Sequence, residues 1–233
     1  MRGLMHRRLI APAALMMAFC TGCGSAVGET AGPDPTPVQQ KSAPVLMFVG
    51  DSFTVGSGPV PTWSSYAAAT ARLLGWQPVI AGAGGTGYIN KGRVGRSFQD
   101  SFDAELSWRP APDLLVISGG HNDRRWPTLG VRRAAATLLW TARARWPETR
   151  VVMVGPIWLA DAPPKAYAVR DALAEVAARE GVMFLDPLKQ RWVTGRRSEV
   201  LLPDGVHPTF TGHARLAKWL SAALGPAVVH QGP

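Results

Sequence analysis

Four short segments carry side chains that could act together on a carbonyl carbon: "GDS" at 50–52, "AGAGGTGY" at 81–88, "GGHND" at 119–123 and "DGVHP" at 204–208. Moving an acyl group to water needs a nucleophile, a base for its proton, a carboxylate to orient that base, and donors for the developing oxyanion. Ser52 is a candidate nucleophile and His207 a candidate base. Asp204 precedes the histidine by three residues, so a turn can bring its carboxylate to one imidazole nitrogen while the other faces the serine. The N–H of Ser52, the side-chain amide of Asn122 and a backbone N–H of the glycine segment are candidate oxyanion donors.

Each segment alone is weak. Asp and Ser are common helix caps, glycine turns commonly follow strands, and Asn122 or Asp123 can simply cap a helix after Pro127. A single histidine near a chain end is usually structural or exposed. The conjunction is stronger, and it depends on which elements carry the four segments.

Short apolar runs at 45–49, 78–81, 113–118, 151–155 and 182–186 have the length of buried parallel strands. Amphipathic stretches at 64–75, 98–106, 129–146, 167–181 and 211–224 read as helices. Such alternation predicts one doubly wound α/β domain over 44–228, with helices on both faces of a parallel sheet. In these sheets reactive groups collect at the carboxyl ends of the strands. The first three segments each follow a predicted strand and "DGVHP" precedes the last helix, so all four should face one crevice.

In this order the segments resemble those of the SGNH hydrolases, the GDSL-type esterases and lipases, named for the Ser, Gly, Asn and His of four sequence blocks. Gly50-Asp51-Ser52 is similar to the first block, the glycine loop to the second, Gly120-His121-Asn122-Asp123 to the G-x-N-D third, and Asp204 to Pro208 to the D-x-x-H-P block. The resemblance covers about residues 44 to 225. It implies a three-layer α/β/α, flavodoxin-like fold and a cofactor-free ester hydrolase. It also implies that Ser52 attacks, His207 is the base and Asp204 orients it, while Gly85 and Asn122 join the Ser52 N–H in the oxyanion hole. Two positions depart from the family pattern: Phe53 stands where Leu or Ile is usual, and the second block lacks its usual Asn. The choice of Gly85 over Gly84 rests on aligning Gly84-Gly85 with the family's Ser-Gly.

Other chemistries fit less well. A dinucleotide loop should follow the first strand and open a helix directly, whereas "GAGGTG" follows the second and runs into "YINKGRVGRS". The chain has no G-x-S-x-G elbow and no H-E-x-x-H, and nothing in it calls for a metal. His213, inside the last helix, reads as a packing or hydrogen-bonding residue.

The N-terminal "MRGLMHRR" followed by "LIAPAALMMAF" reads as an export signal over 1–22, too short in its apolar part to span a bilayer comfortably. "CTGC" resembles a bacterial lipobox with Cys20 in place of the usual Leu, which makes Cys23 the expected lipidation site; simple signal-peptidase cleavage is the alternative. Cys20 and Cys23 are the only cysteines, so neither a disulfide framework nor a four-ligand zinc site is available to the domain. Residues 23–43 read as a flexible linker and 229–233 as a disordered tail. The expected location is the outer face of the cell membrane, or secreted if cleavage occurs without lipidation.

The net charge is +9, but Arg2, Arg7 and Arg8 precede Cys23, leaving +6 on a chain that begins there. The remaining arginines are scattered, which favours a solvated basic surface over a nucleic-acid face. Trp63, Trp126 and Trp158 each fall in a loop after a predicted strand, where they either approach the crevice mouth or anchor the loops. The expected partners are therefore a short-acyl or acetyl ester, such as acylated envelope carbohydrate, and a membrane through Cys23, with the protein a monomer. An acyltransferase with the same apparatus and a non-catalytic envelope-binding lipoprotein are the rival classes.

Overall fold

The computed structural model describes residues 42–229. The export segment, Cys20, Cys23, nearly all of the linker and residues 230–233 lie outside the described residues. Five strands form one parallel sheet: β1 (Val45–Gly50), β2 (Gln77–Gly82), β3 (Leu114–Ser118), β4 (Arg150–Val154) and β5 (Met183–Leu185), in the order β2-β1-β3-β4-β5. The helices are α1 (Ser52–Val55), α2 (Tyr66–Leu74), α3 (Phe98–Ser101), α4 (Thr128–Arg145), α5 (Pro164–Arg179), α6 (Arg197–Val200) and α7 (Phe210–Val229). Among the described residues no helix is long and apolar enough to cross a membrane.

Strand alternation sorts the core into two layers. Met47, Val49, Leu115, Ile117 and Met153 face one side and pack with Leu138 of α4 and Val169 and Leu173 of α5. Leu46, Phe48, Leu114, Val116 and Val152 face the other, against Ala67 and Ala71 of α2 and Leu216 and Leu220 of α7. Successive side chains of a strand point to opposite faces, so a strand apolar at every position must be covered on both. Each such leucine contributes roughly 1.5–3 kcal/mol by leaving water. This is the three-layer α/β/α sandwich that the apolar runs imply.

Local chemistry sets the helix ends. Ser65 caps α2 by accepting from the Ala68 N–H, and Gly75 ends it in the left-handed region at φ 71°. Ser97 and Asp100 form a reciprocal capping box on α3.

The chain leaves β1 for β2 on one side of the sheet and then returns to place β3 on the other. The connections change direction at the β1–β3 pair, where Gly50 stands level with Ser118. Ligands of open α/β sheets bind at the carboxyl ends of such a pair. Backbones crowd here as well: a Cβ on Gly82 would lie 1.8 Å from the Gly50 carbonyl oxygen, and Gly82 has φ 124°, so only glycine fits.

Candidate active site

Asp51 and Ser52 share one turn with two uses. Asp51 is the N-cap of α1: its Oδ1 accepts the Phe53 N–H at 3.0 Å, and its backbone carbonyl accepts from Thr54 and Val55. Ser52 is the first helical residue, so its own N–H has no partner within the helix. The cap expected of a G-D-S turn is therefore present, and it aims the serine. Asp51 is buried, and its Oδ2 has no hydrogen-bond partner. Burial pushes its carboxyl up to about 7, with the nearby Asp123 carboxylate adding to the rise.

The segment 201–208 folds on itself before α7. Leu201 and Pro208 form an antiparallel bridge, Leu202 N–H donates to the His207 carbonyl at 2.8 Å, and Gly205 takes φ 66° at the turn. Inside it Asp204 Oδ1 accepts the N–H groups of Val206 and His207, each at 2.9 Å. Its other oxygen lies 2.7 Å from His207 Nδ1. Partial burial pushes the Asp204 carboxyl up, but the His207 ring and the two backbone donors outweigh it and hold the group below the usual carboxylate range. On the far side of the ring, Nε2 lies 2.9 Å from Ser52 Oγ. A carboxylate can only accept, so Nδ1 carries the proton in the neutral ring and Nε2 is free to accept one from the serine.

The glycine segment makes a β-turn closed by Thr86 N–H to the Ala83 carbonyl at 3.3 Å. Gly85 is its third residue, at φ 78°, and the turn does not consume the Gly85 N–H. Gly84 lies beside the serine: a Cβ there would be 3.8 Å from Ser52 Cβ. Asn122, opening a 3₁₀ turn over Asn122–Arg125, donates one amide hydrogen to the Thr86 carbonyl at 2.8 Å. An amide has two hydrogens, so one remains for an acceptor in the cleft.

Asp123 holds this loop from beneath. Its carboxylate accepts three consecutive backbone N–H groups, Tyr88 at 2.9 Å and Ile89 and Asn90 at 3.0 Å. Burial raises its carboxyl, and these three bonds oppose the rise. Asn90 continues the bracing by donating to the Gly85 carbonyl at 2.5 Å and accepting from the Trp126 indole at 3.2 Å. Asp123 caps no helix. The sequence showed it only as part of G-x-N-D, because its partners are backbone groups that no side-chain pattern marks.

Ser52, Gly84, Gly85, His121, Asn122 and His207 line one open cleft of about 1070 Å³. Of the three loop tryptophans, Trp126 lines it, Trp63 is exposed elsewhere, and Trp158 stacks on His121 with ring centroids 3.8 Å apart. His121 Nδ1 lies 3.0 Å from the Ile157 carbonyl. Burial holds the His121 imidazole down to about 4. His213 does not line the cleft: it is buried, its Nδ1 accepts the Tyr66 N–H at 3.0 Å, and its ring stacks on Tyr66. Among the described residues no three of His, Cys, Asp and Glu gather as metal ligands.

The family model for GDSL-like lipases and acylhydrolases matches residues 48–215, a span that runs from β1 into α7 and includes all four segments. The chain belongs to that family. It is an ester hydrolase with the α/β fold of the SGNH hydrolases. A GDSL lipase of Mycobacterium tuberculosis is 29% identical over 208 residues, covering 84% of this chain and 87% of the relative. A lipase/acylhydrolase from Enterococcus faecalis superposes with a TM-score of 0.64 at 18% identity, over 78% of this chain and 95% of that one. A family two carbohydrate esterase from Clostridium thermocellum, solved with cellohexaose, gives a TM-score of 0.67 at 22% identity, over 83% of this chain and 66% of that one. At such identities the two structures speak for the fold.

Proposed function

We propose that this GDSL-like hydrolase cleaves acetyl or short-acyl carboxylic esters, on carbohydrate of the cell envelope, through an acyl-enzyme on Ser52. One observation carries the reading: Asp204, His207 and Ser52 lie in a continuous line of hydrogen bonds, 2.7 and 2.9 Å long. His207 takes the Ser52 proton as Oγ attacks the ester carbonyl, and Asp204 stabilises the imidazolium that forms. The Ser52 and Gly85 N–H groups and the spare hydrogen of Asn122 receive the oxyanion. His207 then returns the proton to the leaving alkoxide, and a water activated by the same imidazole releases the acid.

The cleft is open and mixes Trp126 and Ile89 with polar groups, a surface suited to a sugar face, and the fold is shared with an esterase solved with a cello-oligosaccharide. For localisation the support is the N-terminal sequence, with Cys23 as the proposed lipid anchor on the outer membrane face. Metabolic labelling with a palmitate analogue, lost in Cys23→Ala, tests the anchor.

The deciding test compares turnover of p-nitrophenyl acetate, butyrate and octanoate by the wild type and Ser52→Ala. Loss of turnover in a folded variant, with acetate or butyrate preferred, supports the proposal. Equal turnover removes Ser52 as nucleophile, and a preference for octanoate removes the short-acyl assignment. Adding a sugar acceptor and analysing the products separates hydrolysis from acyl transfer.

A further inference from the structure

The loop that carries Gly85 also carries charge. Lys91 closes the Thr86–Lys91 bridge and Arg93 follows it, and both line the cleft together with Arg124 from the Asn122–Arg125 turn. Among the described residues no Asp or Glu lines it. The carboxylates nearest in sequence are buried or committed elsewhere: Asp51 is buried as the cap of α1, Asp123 accepts three backbone N–H groups, Asp204 lies on the far side of His207, and Asp100 belongs to its capping box. Asp100 also sits 3.7 Å from Lys91, but both side chains are largely exposed and such a pair is weak. Arg124 is held by the His121 carbonyl at 3.0 Å and the face of Trp158 at 5.5 Å, neither of which cancels its charge. Among the described residues Arg93 has no carboxylate partner, and it stands one residue past Gly92, whose φ of 56° turns the chain.

Three cations, of which Lys91 alone has a carboxylate in reach and that one in a weak exposed pair, give the cleft a positive potential, and low-dielectric walls focus it. The bracing by Asp123 and Asn90 fixes Lys91 relative to Gly85, so the charge belongs to the site rather than to a wandering loop tip. We propose that the cleft is selective for esters that carry an anionic group, a carboxylate, sulfate or phosphate, seated against Lys91, Arg93 and Arg124. This rests on the hydrolase reading and names its substrate more narrowly: an acidic ester rather than a neutral one.

The test uses the full chain and two matched pairs. 4-Sulfophenyl acetate against phenyl acetate places the anion on the alcohol side, and monophenyl succinate against phenyl succinamate places it on the acyl side. The readout is the ratio of kcat/KM for anionic over neutral ester, after subtracting spontaneous hydrolysis; intrinsic reactivity differences cancel when that ratio is compared between proteins. For at least one pair the ratio should fall roughly three- to thirty-fold in Lys91→Gln/Arg93→Gln, and by a similar factor in wild type on moving from low to about 1 M salt. A ratio within twofold of wild type in the folded double variant, and insensitive to salt, overturns the proposal. Ligand-observed NMR of the same pairs with Ser52→Ala reads the preference without turnover: equal binding of both members of each pair also overturns it. Retained turnover by Ser52→Ala would instead sink the serine mechanism, so the two failures are separable.

Discussion

His207 Nε2 stands 2.9 Å from Ser52 Oγ although 155 residues separate them, and the fold spends its C-terminal third on making that approach. Ser52→Ala and His207→Gln should each lower kcat by about 10⁴- to 10⁶-fold with little change in the circular dichroism spectrum. Retention of even a tenth of the activity in either variant would remove that residue from the reaction.

Asp204 is half-exposed, yet the imidazole and two backbone donors hold its carboxyl below the usual carboxylate range. Asp204→Asn should cost roughly 10²- to 10⁴-fold in kcat. Turnover of p-nitrophenyl acetate within twofold of wild type would remove Asp204 from the reaction.

Asp123 touches no substrate position but fixes the loop that holds Gly85, a positioning role. Asp123→Asn turns one acceptor into a donor facing three N–H groups, so stability should drop by about 2 kcal/mol. The expected signature is a ten- to hundredfold fall in kcat with a much smaller change in KM, because the oxyanion donors matter most in the transition state. A change confined to thermal stability would limit Asp123 to the scaffold.

The dependence of stability on pH follows from three buried groups. Burial holds His121 and His213 down to about 4, against 6.5 when unfolded, so between those values the unfolded chain binds two protons that the folded chain refuses. Asp51 acts oppositely: its folded carboxyl, pushed up to about 7, is already protonated there, while the unfolded one titrates near 3.8. The two histidines therefore lose stability as pH falls from 6.5 toward 4, and Asp51 returns about half of that slope. These groups leave a net slope near one proton, about 1.4 kcal/mol per pH unit. Urea titrations from about pH 4.5 to 6 should show a steeper slope in Asp51→Asn and a flatter one in His213→Leu; the reverse order would refute the assignment.

The five strands and the four reactive segments were legible in the sequence because both follow from simple patterns. Continuous apolar runs need cover on two faces, and groups at strand ends must share a crevice. Residue type sets the helix ends at Ser65 and Gly75, yet the apolar period over 64–75 placed both inside the helix. The role of Asp123 could not, since it lies in bonds to backbone N–H groups some 35 residues earlier. Nor could the fate of Trp158, which is decided by a stack on His121 across two loops, or the grouping of Lys91 and Arg93 with Arg124, which exists only once β2 and β3 flank β1. His213 was readable as a packing residue, but its acceptance of the Tyr66 N–H depends on α2 and α7 meeting on one face of the sheet.

Because the bridge at Leu201 and Pro208 closes Asp204 and His207 into one small loop, the bonds between that pair are made without Ser52. Of the bonds in the Asp204, His207 and Ser52 line, one alone joins this loop to α1, that between His207 and Ser52. In the proposed mechanism each half of the triad is therefore formed locally, and the task of the fold is to set one distance between them.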